Sequence, residues 1–208
     1  MRMTGRASQV ALTLALLASP AAPGFAQSFP AGTAKSATGT LVVVRTDGVE
    51  TRLQGRRTLS LYEGDVLRID GQGEALVETE EGIQVALAAD SAVRILLRWE
   101  KGKGATRILR LERGEVWVRN DNAQRAVEIE TPVGTLSARA VEASVRLVAS
   151  DEAVATVVRD AADFSTPLST CQVRAGTVSY GYRGKACTEP AVADVKRITG
   201  WSHPLLLR

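Results

Sequence analysis

Turn residues punctuate this sequence roughly every 8–12 positions, and the runs between them are short and mostly alternate apolar with polar residues. Thr40–Arg45 is followed by Asp47-Gly48 and then Val49–Leu53, and Asp-Gly between two such runs is a strong hairpin signal. Val66–Asp70 ends at Gly71-Gln72-Gly73, Ala75–Thr79 follows, and Glu81-Gly82 leads into Ile83–Leu87. The series continues with Val93, Ile95 and Leu97, then Ile108–Leu111, Val116–Arg119, Val127–Ile129, Val141–Val148 and Val154–Arg159. The 86–97 stretch also admits a helical reading, but Asp90-Ser91 and its β-branched residues favour two strands. The pattern predicts an all-β chain. Trp117, between Val116 and Val118, is expected to seed packing.

One unit recurs. Leu59-Ser60-Leu61-Tyr62-Glu63-Gly64-Asp65-Val66 and Leu109-Arg110-Leu111-Glu112-Arg113-Gly114-Glu115-Val116 both read Leu-x-Leu-x-x-Gly-acid-Val, 50 residues apart, with a shorter echo at residues 173–178. Each reads as strand, glycine-dependent turn, strand. Repetition of such a unit predicts stacked, solenoid-like or sandwich-like antiparallel layers.

The first residues carry an address. Arg2 and Arg6 precede an apolar run from Val10 to Ala18, and a small-residue segment ends at Ala26. This pattern is that of a secretory signal peptide cleaved after Ala26, and its apolar run is about half the length a spanning helix needs. The expectation is a periplasmic or secreted protein with no transmembrane segment in the mature chain. Export removes two arginines and no acid, so the formal charge of +3 falls to +1, which argues against a nucleic-acid partner. Cys171 and Cys187 lie 16 residues apart. In an oxidising compartment they are expected to pair, closing a loop worth about 3 kcal/mol. The expected organisation is a signal peptide over 1–26, a flexible tether over 27–38, a β domain over 39–160 and a disulfide-bearing β extension over 161–208.

Gly39-Thr40-Leu41-Val42-Val43, then Leu61-Tyr62-Glu63-Gly64-Asp65-Val66-Leu67, Gly73-Glu74-Ala75, the Leu109–Val116 unit and Glu130-Thr131-Pro132 occur in an order that resembles the FecR-type periplasmic domain. The resemblance runs from Gly39 to about Arg159 and marks Gly64, Asp65, Gly114, Thr131 and Pro132 as structural positions of the motif. It departs where the family commonly has Arg-Gly-Thr after Thr-Pro, since Arg139 is followed here by Ala140-Val141. The best-known members sense receptor occupancy and signal across the inner membrane through a membrane helix and a cytoplasmic segment. A cleavable leader stands in their place here, so the resemblance implies a stand-alone FecR-like fold and a protein-binding role in the envelope.

Signals for catalysis are sparse. His203 is the one histidine, which excludes a multi-histidine metal site, and Ser202 beside it is a poor nucleophile–base pair because adjacent residues rarely face one substrate. Asp65, Asp70, Glu78 and Glu80 are candidate paired carboxylates, although alternation with apolar residues is what a solvated strand face requires. Asp65, after a turn glycine, suits bonding to backbone amides. Asp151, Asp160 and Asp163 lack a calcium-loop spacing, and Gly71-Gln72-Gly73 lacks the lysine and helix start of a phosphate loop. No cofactor and no metal are expected.

Charge is the sharper feature. Arg94, Arg98, Lys101, Lys103, Arg107, Arg110 and Arg113 are opposed within that stretch only by Glu100 and Glu112. With Trp99 they form a candidate binding patch for an anionic partner, and the period-two rule places Arg94, Arg98 and Arg110 on one face of a hairpin. Tyr180, Tyr182 and Trp201 form a candidate aromatic surface near the cysteines. The expected function is a non-enzymatic envelope interaction module for signal sensing or regulation, its partner an envelope protein. The alternative is a binder of peptidoglycan or of an anionic surface polysaccharide, and a glycoside hydrolase is the remote third.

Overall fold

A computed structural model describes residues 29–101 and 104–202. In chain order its strands are β1 (Pro30–Val44), β2 (Glu50–Gly55), β3 (Leu59–Tyr62), β4 (Val66–Ile69), β5 (Glu74–Thr79), β6 (Gln84–Leu87), β7 (Ala92–Glu100) and β8 (Gly104–Asn120). There follow β9 (Ala126–Glu130), β10 (Thr135–Ala138), β11 (Val141–Ala149), β12 (Glu152–Ser165), β13 (Thr170–Arg174), β14 (Thr177–Tyr182) and β15 (Ala191–Val192). The short helix α1 (Val195–Thr199) and a 3₁₀ turn over Gly200–Ser202 end the described chain.

The all-β architecture is a two-layer sandwich. One layer runs β2, residues 41–44 of β1, β4, β7, residues 104–113 of β8, β9, β10, residues 161–165 of β12, and β13. The other runs β3, residues 30–38 of β1, β5, β6, residues 114–120 of β8, β11, residues 152–160 of β12, β14 and β15. Thus β1, β8 and β12 each begin in one layer and end in the other. Every pairing is antiparallel except β8 with β9, where Thr106 to Arg110 run parallel to Ala126 to Glu130.

Alternation decides what faces inward. Ala75 and Val77 of β5, Leu67 and Ile69 of β4, and Val127 and Ile129 of β9 are buried, while Glu78, Arg68, Glu128 and Glu130 point out. The inward residues of both layers form one continuous core from Leu53 and Leu61 at one end to Phe164, Val173 and Cys187 at the other. The Cys171–Cys187 disulfide, Cα to Cα 6.2 Å, fastens the segment that covers this second end.

Three expectations are corrected. The tether expected over 27–38 is strand from Pro30: Ala31, Ala34 and Ala37 are buried, and small side chains that read as a linker are what this half of β1 packs inward. The runs 108–111 and 116–119 are one strand, because Gly114, at φ +79°, turns the chain from one layer to the other without breaking the ladder. The boundary set at 160 falls inside β12, where Asp160, at φ +64°, makes the corresponding corner, so the C-terminal extension continues the same sandwich.

The Gly114 corner is filled by Ser91. The Ser91 hydroxyl accepts from Glu115 N–H at 2.9 Å and donates to Glu115 C=O at 2.9 Å. A methyl group at position 114 would sit 2.4 Å from that hydroxyl oxygen and 2.6 Å from Ser91 Cα, whereas at Gly176, also at positive φ, it would meet nothing. Gly176→Ala is therefore expected to cost about 1 kcal/mol for the left-handed backbone alone. Gly114→Ala should cost roughly 2–4 kcal/mol, because the overpacking of Ser91 is added. Urea unfolding of the two variants checks the difference.

Candidate interaction surface

The basic stretch folds onto carboxylates from other strands. On the outer face of the first layer Arg94 pairs with Glu112 at 3.4 Å, Arg98 with Glu128 at 2.6 Å, Arg110 with Glu130 at 2.9 Å and Arg113 with Asp70 at 2.6 Å. Arg94 and Arg110 stand directly opposite each other, as the period-two rule required, but each has its own carboxylate. The expected concentration of free positive charge is corrected to a ladder of alternating sign. These pairs are largely solvated and contribute about 0–1 kcal/mol each. Lys101 and Trp99, 74% exposed, stand outside the ladder at the hairpin tip, and Lys103 lies outside the described residues.

Arg107 is corrected more sharply. It is 1% exposed and faces into the sandwich, on the same side of β8 as Leu109 and Leu111. Its guanidinium forks onto Glu81 in the β5–β6 turn, Nε to Oε2 at 2.9 Å and Nη2 to Oε1 at 2.6 Å, and Nη1 donates to Leu96 C=O at 3.3 Å. The pair ties a strand of the first layer to a turn of the second. Burial alone would push the Glu81 carboxyl up; the Arg107 hydrogen bonds and charge outweigh it and hold the carboxyl below its ordinary value.

The motif residues are turn-builders. The Asp65 carboxylate, buried, accepts from Tyr62 N–H at 2.8 Å and pairs with Arg45, whose guanidinium lies 4.9 Å from the Tyr62 ring centroid and also donates to Ser60 C=O at 2.8 Å. Gly64, at positive φ, donates its N–H to Ile95 C=O at 2.8 Å and so joins the turn to β7. Thr131 closes the β9–β10 turn: its hydroxyl donates to Gly134 C=O at 2.8 Å and accepts from the N–H of Val133 at 3.2 Å and of Gly134 at 3.0 Å, with Pro132 exposed between.

The three aromatics do not make one surface. Tyr180 is exposed and Tyr182 half-buried, with the Lys185 ammonium 5.7 Å from its ring centroid. Trp201 instead packs with Trp117, Ala86 and Leu76 on the outer face of the second layer. Its indole N–H donates to Glu115 Oε1 at 3.1 Å, and Ser144 donates to the same oxygen at 2.5 Å. Trp117 is buried, but by this tail segment and not by the main core that holds Val116 and Val118.

Of the candidate carboxylates, Asp70 is held by Arg68 and Arg113, and Glu78 by Lys35 at 3.2 Å. Ser202 is buried with its hydroxyl on Thr199 C=O, and His203 lies outside the described residues. Among the described residues no cluster of three or more metal-ligating side chains is present, and no helix is long and apolar enough to cross a membrane. A second basic group escaped the sequence reading: Arg52, Arg56 and Arg57 on β2 and the link to β3 make no ion pair or side-chain hydrogen bond among the described residues. Its signal was present as three arginines within six residues.

Residues 65–163 match the FecR protein family model. The match starts at the buried Asp65, spans the whole of β8 and ends on β12; the resemblance read from Gly39 to Arg159 overlaps it from Asp65 onward. Two crystal structures, each of a candidate anti-sigma factor from Parabacteroides distasonis, have the same fold, with TM-scores of 0.54 and 0.55 at 13% and 14% identity. Each alignment covers 65% of this chain and 63% of the other, so the chain spans less than two thirds of those structures. No curated protein matches the sequence significantly.

The Arg107–Glu81 fork sets a pH dependence. Glu81→Gln should cost about 3 kcal/mol at neutral pH, because it leaves a buried guanidinium without its counter-charge. The native carboxyl titrates below its unfolded value of 4.5, so its contribution is complete above that value and is lost as pH falls through the native value. The stability gap between wild type and Glu81→Gln should therefore be constant from pH 7 to about 5 and narrow below about 4.5. Urea unfolding at stepped pH measures it.

Proposed function

We propose that this chain is a regulatory protein-binding module of the cell envelope, exported through its N-terminal leader and cleaved after Ala26, which senses or relays a signal by contact with another envelope protein and catalyses no reaction. The observation that carries the reading is the FecR match over residues 65–163 on a sandwich whose fold is that of candidate anti-sigma factors. The surface agrees with it. Most of the charge on the first layer is self-neutralised, so selectivity falls to shape, sheet edges and the few groups outside the ladder. The disulfide suits an oxidising compartment.

The test is cross-linking in the native host with a C-terminally tagged chain, followed by purification and mass spectrometry. Near-stoichiometric recovery of one envelope protein, with a tagged chain whose mass begins at Gln27, is the expected result. Recovery of glycan or lipopolysaccharide without a protein partner would overturn it in favour of surface-polymer binding, in which the exposed Tyr180 would be the first residue to examine.

A further inference from the structure

The two ends of the sandwich are finished differently. At the C-terminal end β14 is covered by β15, and β13, which pairs only with β12 among the described residues, is tied through Cys171 to the Cys187 segment that lies against the core. At the N-terminal end β2 pairs only with β1 among the described residues. Arg45 N–H donates to Val49 C=O at 2.9 Å, which makes that a hydrogen-bonded pair. By antiparallel alternation Thr51 and Leu53 then turn their backbone groups toward β1, and Glu50, Arg52 and Gln54 turn theirs outward. This is a short row of donors and acceptors with no strand among the described residues to receive them.

The same edge holds a cluster of unpaired charge. Arg68 satisfies Glu50, but Arg52, Arg56 and Arg57, three arginines within six residues, have no carboxylate among the described residues. The arginines at 45, 68, 94, 98, 107, 110, 113, 119 and 159 each have one, and the others without one, Arg125, Arg139, Arg146, Arg174, Arg183 and Arg197, are scattered along the chain. Arg52, Gln54, Gly55 and Arg57 border an open recess of about 510 Å³. Gly55 pairs with Ala37 and Leu59 with Ala34, so β2 and β3 run as one outer strand along β1, with an extra residue bulged at the Arg56-Arg57 link. The bulge limits an added strand to about the five residues opposite 50–54. Like charges facing each other disfavour a second copy at this edge, whereas an acidic segment gains from both the backbone and the arginines.

We infer that the free edge of β2 binds an acidic, extended segment of a partner protein, which adds as one further strand opposite residues 50–54 with its carboxylates on Arg52, Arg56 and Arg57. This rests on the protein-binding reading above and names the surface and partner chemistry for it. The probe is a fluorescein-labelled ten-residue peptide of alternating glutamate and threonine, read by anisotropy with the exported, disulfide-bonded protein. Binding is expected to weaken severalfold between about 50 and 300 mM salt. The triple variant Arg52→Glu, Arg56→Glu, Arg57→Glu should raise Kd at least about tenfold, and Arg139→Glu, at another exposed arginine, should change it less than about twofold. The same peptide N-methylated at alternate amides should bind wild type at least about tenfold more weakly, a readout that needs no variant to fold. Equal affinity for the N-methylated peptide, or an unchanged Kd for the triple variant, overturns the inference. So does cross-linked capture of the same envelope protein by the triple variant at wild-type yield, and that result leaves the protein-binding reading standing. Failure of wild type to capture any protein removes that reading itself.

Discussion

Everything in this sandwich depends on three strands that change layer. β8 is the central one: residues 104–113 pair with β7 and β9, and residues 114–120 pair with β6 and β11, so both edges are used in both halves. A strand used this way satisfies the backbone groups of both its edges and binds four neighbours to one another. The cost is a corner that most residues resist. At Gly114 the corner is made by the residue type that resists least, and Ser91 occupies the volume a side chain would take while bonding both backbone groups of Glu115. At Asp160 a short polar residue tolerates the same backbone, and its C=O accepts from Ala175 N–H at 2.8 Å.

The charges play different parts according to depth. The ladder on the first layer adds little stability, because each pair is solvated and each long side chain loses rotamer freedom when held. Its effect is on the surface field: it neutralises Arg94, Arg98, Arg110 and Arg113, four of the seven basic residues in that stretch. The Arg107–Glu81 fork is the opposite case. Buried and bidentate, it holds a gap between layers that an unpaired guanidinium would make costly, so the pair is needed together even where an apolar pair would serve as well. The Asp65–Arg45 pair is used similarly, with the Tyr62 N–H as a third member that fixes the Gly-Asp turn against β1.

What was legible in the sequence is what is local. Strands with alternating large apolar residues, such as β4, β5 and β9, are visible because period-two burial needs no knowledge of neighbours. The first half of β1 was hidden because its inward residues are alanines, which resemble a linker in composition. β8 was read as two strands because a glycine that turns a chain between layers is the same letter as one that ends a strand. The neutralisation of Arg98, Arg110 and Arg113 was hidden because Glu128, Glu130 and Asp70 lie 20 to 43 positions away in sequence, on elements whose pairing the sequence does not announce. Arg107 alone carried a readable warning: it shares the parity of Leu109 and Leu111, so the rule that set Arg94, Arg98 and Arg110 outward also set it inward.

The C-terminal segment shows why the extension cannot be treated as an appendage. Trp117 points away from the main core, and Ser144 and Thr156 share its outward parity on β11 and β12, yet all three are buried. The cover is the tail itself: Asp194 caps α1 through Arg197 N–H at 3.1 Å, Val195 and Thr199 are buried, and Trp201 closes over Trp117 with its indole on Glu115. Glu115 is also the residue whose backbone Ser91 holds at the Gly114 corner. The corner of β8 is thus fixed from inside the sandwich by Ser91 and from outside by a tail some eighty residues later, whose start is secured by the disulfide. The FecR-matching residues 65–163 contain the corner but neither the β1 edge that β4 and β5 need nor the tail that covers Trp117. The parts outside the match therefore complete the same folding unit.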